Sequence, residues 1–422
     1  MSAASIVVIG DLHLKAGHPR HSARLASFDQ IIEDGCARAA LAAWVVLGDC
    51  FDARSGVDDR NLLADRLQRM ADRAPVLLVR GNHDVPGDLL VFGKIGARFP
   101  IVVREQPSTV SVRTPTGHQL TAFLLPYPVE AQLVRAGIAP GDIPMAAKAA
   151  LDGIFLQGAS DLALARTRGE LTLFAGHVNV GGSQSSNGQP NIGHEIELDG
   201  GLLARLGDCP KLLGHIHLPQ DIAGAIYVGS VAATNWGELE AKRFVTVEWQ
   251  QTPGVPLERA WSVESHPLKT EPLYHVEGVL RRDGFTWEVA AEPGGARLDP
   301  PVSWRGCEVR VRVLFNPAEA QLLEMAKAQV FANFAEAARF ELEMVAMPVR
   351  ELRAPAVAVA QTLLEKLSAY AEVSGSTVSA HALGLGAELE HADAATFVAG
   401  VQARMETLVQ APATPVDAEA VA

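Results

Sequence analysis

Cysteine is scarce and scattered in this sequence. Cys36, Cys50, Cys209 and Cys307 are the four in 422 residues, and no two form a CxxC pair. That spacing excludes a disulfide frame or a zinc knuckle and reads as free thiols in a reducing, cytoplasmic setting. Long apolar runs are missing too: none approaches the roughly 20 residues of a membrane-spanning helix. Ile6-Val7-Val8-Ile9 is short and unflanked by Lys or Arg, so no signal peptide is expected there. An excess of basic residues is absent as well. The net charge is −13, which argues against a generic DNA-coating protein. The imbalance is uneven: residues 1–100 carry 12 acidic and 12 basic side chains, residues 351–422 carry 9 and 3. No internal repeat is found. What remains is an ordinary globular composition, 48% apolar and 20% charged, long enough for two or three domains.

The first half alternates short apolar runs with helical spacing. Ile6–Ile9, Trp44–Leu47 and Val76–Val79 read as buried strands, and residues 22–43 and Asp59–Arg73 as the helices between them. Continuous Val/Leu strands between amphipathic helices predict βαβ units, with a sheet covered on both faces. Further strands are expected at Leu120–Leu125, Leu171–Ala175, Lys211–Leu213, Ala225–Val228 and Phe244–Trp249, with a helix near 142–167. Prolines 253, 256 and 267 mark residues 251–270 as a linker. Beyond it, Leu273–Leu280, Glu308–Val313 and Phe340–Val345 read as strands and Pro317–Arg339 as a helix, a small α+β domain over 271–352. An Ala-rich helical tail over 353–410 and a disordered end at 411–422 complete the chain.

Five short segments lie just past apolar runs: Asp11-Leu12-His13, Gly48-Asp49, Gly81-Asn82-His83-Asp84, Gly176-His177 and Gly214-His215-Ile216-His217. In α/β sheets ligands gather beyond the carboxyl ends of strands, where loops converge on one rim. The segments offer oxygen and nitrogen donors that suit a pair of divalent first-row ions. Such a pair can hold both the attacking and the leaving oxygen of a phosphoester. Asp49, with two oxygens, is the candidate bridge. Asp11 and His13 sit two apart on extended chain, so both face one side and can chelate one ion. His215 and His217 repeat that spacing, and each can serve a different ion. Asn82 supplies a carbonyl oxygen and His177 an imidazole. His83 is expected to point away from the metals, with Asp84 holding its tautomer, as a general acid for the leaving alkoxide. His18, Arg20 and His21 are candidates for substrate phosphate contacts, and Asn235 and Trp236 for the rim. Residues 181–188 read either as a mobile loop beside the metals or as plain surface. Cys50 and the remaining histidines read as packing or surface residues.

This motif series resembles the calcineurin-like metallophosphoesterases. Within them, Gly48-Asp49-Cys50-Phe51 and the set through His217 resemble the SbcD-type DNA-repair nucleases and their phage counterparts. The resemblance implies a two-sheet αββα sandwich over residues 1–250, a smaller α+β capping domain that selects DNA ends, and a C-terminal helical segment. It implies two manganese ions (Mn2+), one held by Asp11, His13, Asp49 and His217, the other by Asp49, Asn82, His177 and His215. It further implies His83 as the catalytic histidine with Asp84 as its orienter. The partners that follow are DNA, a second copy of the chain, and an SbcC-like coiled-coil ATPase docked on residues 356–410.

Two other readings stand beside this nuclease. One is a phosphodiesterase or phosphatase for small nucleotides or phosphoproteins; the roughly 170 residues past the catalytic half argue against it. The discriminator is whether Arg281, Arg282, Arg310 or Arg312 faces the metals. The other is a non-catalytic metal-containing scaffold, against which stand the intact Asp49, Asn82 and His83.

Overall fold

In the computed structural model the run Ile6–Ile9 lies in strand β1 (Ser2–Ile9), and successive side chains of that strand enter different cores. Val7 and Ile9 pack with Phe28, Ile31 and Ile32 of helix α1 (His21–Ala37) and with Leu63, Leu67 and Met70 of α2 (Val57–Ala71). Ile6 and Val8 point the other way, onto Leu120, Ala122 and Leu173 of a second sheet. A strand whose two faces are both buried has no polar face, which is why the run is unbroken. The described residues are 2–129, 133–134, 138–186, 196–250, 254–256, 259–281, 284–290, 297–347, 357, 359–375 and 377–391.

The first sheet is parallel through β1, β2 (Leu41–Val46), β3 (Val76–Val79) and β4 (Ile101–Arg104). Antiparallel β13 (Arg243–Gln250) and β14 (Trp261–Pro267) extend it past β1. The second sheet runs β11 (Gln220–Ile222), β12 (Ala225–Tyr227), β10 (Lys211–Gly214), β7 (Leu171–His177), β6 (Gln119–Leu125) and β5 (Ser108–Arg113). Its outer face is covered by α3 (Ile143–Thr167) and α4 (Gly200–Arg205), around Phe123, Phe155 and Phe174. A two-strand pair, β8 (Asn179–Val180) and β9 (Glu197–Leu198), lies beside it. The architecture is the expected α/β two-sheet sandwich, helices outside and sheets face to face.

A third sheet follows: β17 (Arg297–Leu298), β16 (Gly284–Ala290), β15 (Leu273–Arg281), β18 (Glu308–Phe315) and β19 (Arg339–Ala346). Its separate core joins Val276, Val309, Val311 and Val313 to Ala326 and Val330 of α5 (Leu323–Asn333). The chain divides into two compact units, Met1–Val345 and Ala346–Ala422, so this sheet belongs with the sandwich. In the second unit α6 (Leu363–Ser374) starts with a capping box, Thr362 Oγ1 accepting from Glu365 N and Glu365 Oε2 from Thr362 N. Helix α7 (Ala380–His391) packs against α6, with Gly386 close to Leu364 and Leu367. No helix among the described residues is long and apolar enough to cross a membrane.

Several element boundaries differ from the sequence reading. The helix expected over 22–43 ends at Ala37, because Leu41–Val46 is buried as a strand between β1 and β3. Alanine is the best helix former, but intrinsic propensity is a weak bias that sheet burial overrides. The helix expected over Pro317–Arg339 is a 3-10 turn, Pro317–Leu322, followed by α5; Phe334 then turns inward, 2% exposed, and Arg339 starts a strand. The stretch expected as a linker contains β14, hydrogen-bonded along β13. Residues 392–410 of the tail and the end expected to be disordered lie outside the described residues.

Candidate metal centre

Every motif segment reaches one rim. Asp11 follows β1, Asp49 follows β2, Asn82 follows β3, His177 closes β7 and His215 follows β10. The glycines have a steric cause. A Cβ on Gly81 would sit 2.0 Å from Asp49 Oδ1, and one on Gly48 would sit 2.6 Å from His177 Nδ1. Of the four non-glycine residues with positive φ among the described residues, three are His13, Asp49 and His215. Such backbone is costly and concentrates at functional sites.

The donors form two clusters with Asp49 between them. In the first, His13 Nε2 lies 2.9 Å from His217 Nε2. In the second, Asn82 Oδ1 lies 2.8 Å from His177 Nε2 and 3.0 Å from His215 Nδ1. Asp49 Oδ2 is 3.7 Å from His13 Nε2 and 3.4 Å from His177 Nε2. Asp11 accepts from His215 N and lies 3.5 Å from His177 Nδ1. Two triads, Asp11–Asp49–His177 and His13–Asp49–His83, each bring ligand atoms within 4.8 Å of one another.

The donor chemistry fits cations. His177 Nδ1 faces the Leu47 carbonyl at 2.6 Å and must donate to it, so the neutral ring carries a bare lone pair at Nε2. That lone pair faces another acceptor, Asn82 Oδ1. His217 Nδ1 faces Glu238 Oε1 at 2.8 Å, which leaves its Nε2 bare toward His13. Facing acceptors at these distances need a proton or a cation between them. The electrostatics agree. Burial opposes a charged His177, yet Asp49 and Asp11 push it up to about 9. Burial alone would raise Asp49, but His177, with His13 and His83, holds it well below the usual carboxylate range.

Residues outside the motifs complete the site. Glu238, 2% exposed, accepts from Lys242 Nζ, Ser230 Oγ, Thr234 and Asn235 as well as from His217. Asp52 Oδ1 lies 3.5 Å from His13 Nδ1, and Arg24 Nη1 donates to the His13 carbonyl. Tyr127 packs its ring 5.6 Å from that of His215. None of Glu238, Asp52, Arg24 and Tyr127 is itself marked by the sequence, although Asp52 directly follows Phe51 and Glu238 lies near the rim candidates Asn235 and Trp236.

Three expectations are corrected. His83 does not point away: its backbone N–H donates to Asp49 Oδ1, which draws the ring to within 5.0 Å of His13. Asp84 does not orient His83. It is buried, accepting from Phe51 N and Gly81 N, while His83 Nδ1 donates to the Asp52 carbonyl at 3.0 Å. Burial, then Asp49 beside it, push Asp84 up to about 7. Arg20 is not presented to a substrate phosphate. It is buried against Glu308 of β18, with Nη2 at 2.6 Å, and stacks 4.7 Å over Trp236. His18 accepts from Arg20 N, and His21 opens α1; neither belongs to the two triads.

Trp236 is a clasp rather than a rim residue. Its Nε1 donates to Glu341 of β19, its carbonyl accepts from His275 of β15, and the Arg339 guanidinium also lies over its ring at 4.9 Å. A cavity of about 350 Å³ lies at this junction, lined by Arg20, Glu238, Lys242, Leu273, Tyr274 and Glu308. None of the motif donors lines it.

The calcineurin-like phosphoesterase family model matches residues 4–219. The chain belongs to that family. The match ends just past His217 and spans all five motif segments. A solved structure, TT1561 of Thermus thermophilus, is similar at 12% identity, with a TM-score of 0.37 over 63% of this chain and 98% of that one. Family and donor geometry together make the chain a metal-dependent phosphoester hydrolase.

Proposed function

We propose that the chain is a manganese-dependent DNA nuclease subunit that works on DNA ends in repair or recombination. The observation that carries phosphodiester chemistry is the position of Asp49 Oδ2, between two donor clusters. Asp11, His13, Asp49 and His217 would hold one ion, and Asp49, Asn82, His177 and His215 the other. When bound, the pair supplies positive charge at the attacking and leaving oxygens. His83 is exposed beside this pair. With Nδ1 bonded to the Asp52 carbonyl, its Nε2 is the nitrogen free to hold a proton and pass it to the leaving oxygen. Asp49 fixes the His83 backbone, so metal ligation and proton delivery share one anchor.

The DNA reading is supported by the motif resemblance and by the third sheet, clasped to the site loop through Trp236. In this reading that sheet guards the approach of a DNA end, residues 356–410 dock on an SbcC-like ATPase, and the chain works as a homodimer. One observation favours the alternative substrate, a small phosphodiester. Arg310 is ion-paired with Glu343 and Glu341 within its own sheet.

The experiment is hydrolysis of a 3′-labelled linear duplex with manganese, beside bis-p-nitrophenyl phosphate, for wild type and His83→Ala. Duplex cleavage lost in the variant is expected. Cleavage of the small ester with none of the duplex, even with the ATPase added, would contradict the nuclease reading.

A further inference from the structure

We propose that Glu238, which belongs to none of the five motifs, is the positioning residue for His217 and controls loading of one metal position rather than both. The proposal rests on the two-ion reading above. Glu238 Oε1 lies 2.8 Å from His217 Nδ1. A buried carboxylate paired with the Lys242 ammonium only accepts, so the imidazole proton sits on Nδ1 and Nε2 carries its lone pair toward His13.

The carboxylate cannot swing. Lys242 Nζ donates to Oε2 at 2.6 Å, Ser230 Oγ at 3.1 Å and Thr234 N at 3.2 Å, while Asn235 Nδ2 reaches Oε1 at 2.7 Å. Lys242 is itself fixed, donating also to Ser230 Oγ and Glu240. His177 is oriented differently, by the Leu47 backbone carbonyl. A change at Glu238 therefore acts on the His13–His217 side and leaves the Asn82–His177–His215 side intact. Partners of this kind fix tautomer and ring angle, and losing one typically weakens metal binding about 10–100-fold.

The test is manganese titration, by calorimetry and electron paramagnetic resonance, of wild type, Glu238→Gln and Glu238→Gln/Lys242→Met. The double variant removes the buried ammonium together with its Glu238 partner, while Glu240, the second partner of Lys242, is only partly buried and keeps the bond from Ser186 Oγ. Wild type is expected to take two ions with the signature of a coupled pair. The variants should keep one ion at wild-type affinity, bind the other about 10–100-fold more weakly, and give the signal of an isolated ion. Equal weakening of both ions, or none in a folded variant, would overturn the proposal. Nitrogen-15 spectra of wild-type His217 give a readout free of variants: the Nδ1–H tautomer is expected, and Nε2–H would overturn it. Fewer than two ions in wild type would overturn the two-ion reading itself, and this proposal with it.

Discussion

The two donor clusters flanking Asp49 are built on different principles. The Asn82–His177–His215 side has one backbone anchor: His177 donates to the Leu47 carbonyl, while His215 N is held by the Asp11 carboxylate. The His13–His217 side is positioned by side chains, Asp52 for one imidazole and Glu238 for the other. Backbone anchors follow from the sheet and need no particular residue. Side-chain anchors need specific residues in loops after the strands, and substitution removes them one at a time. The anchor of His177 is therefore as durable as the fold, and those of His13 and His217 are tunable.

The variant with the largest effect erases the comparison. Asp49→Ala removes the group common to both clusters, so both ions should be lost, with hydrolysis of bis-p-nitrophenyl phosphate falling roughly 10³-fold or more. Next, His83→Ala should leave both clusters equal to wild type. Two ions bind, and turnover falls about 10²–10⁴-fold in steady-state kinetics. Unchanged turnover would remove His83 from proton delivery. The third change sharpens the contrast: Asn82→Ala should weaken the ion beside His177 and His215 and spare the other, the mirror image of Glu238→Gln, read by the same titration. The smallest effect is expected from Trp236→Phe. It keeps an aromatic ring beside Arg20 and Arg339 but loses the bond to Glu341, costing about 1 kcal/mol in urea unfolding. Metal stoichiometry should stay at two.

The same contrast explains what was legible in the sequence. Donors that follow buried strands announce themselves, because an apolar run followed by Gly-Asp or Gly-His fixes both strand and turn. Gly48 and Gly81 belong to that signal through the close packing they permit. Glu238 and Asp52 carry no such signal: an acid in a polar loop is ordinary, and only tertiary contact assigns it. Asp84 misleads for a related reason. Adjacency in sequence suggests a partner for His83, whereas the bend over residues 82–84 turns Asp84 to backbone amides. Arg20 misleads because closeness to a motif says nothing of Glu308, 288 residues away. Among elements, buried strands with unbroken Val and Leu are legible, while polar, half-exposed ones such as Ser108–Arg113 and Trp261–Pro267 are not. Their apolar signal is diluted to alternate positions, and partner strands define them.

The central claim is that Asp49 joins two cation positions into one catalytic centre. The most direct measurement is the number of manganese ions bound per chain in wild type and in Asp49→Ala, by calorimetric titration of the full-length protein. Two in wild type and no tight ion in the variant is the predicted result. One ion in wild type, or two retained without Asp49, would contradict it.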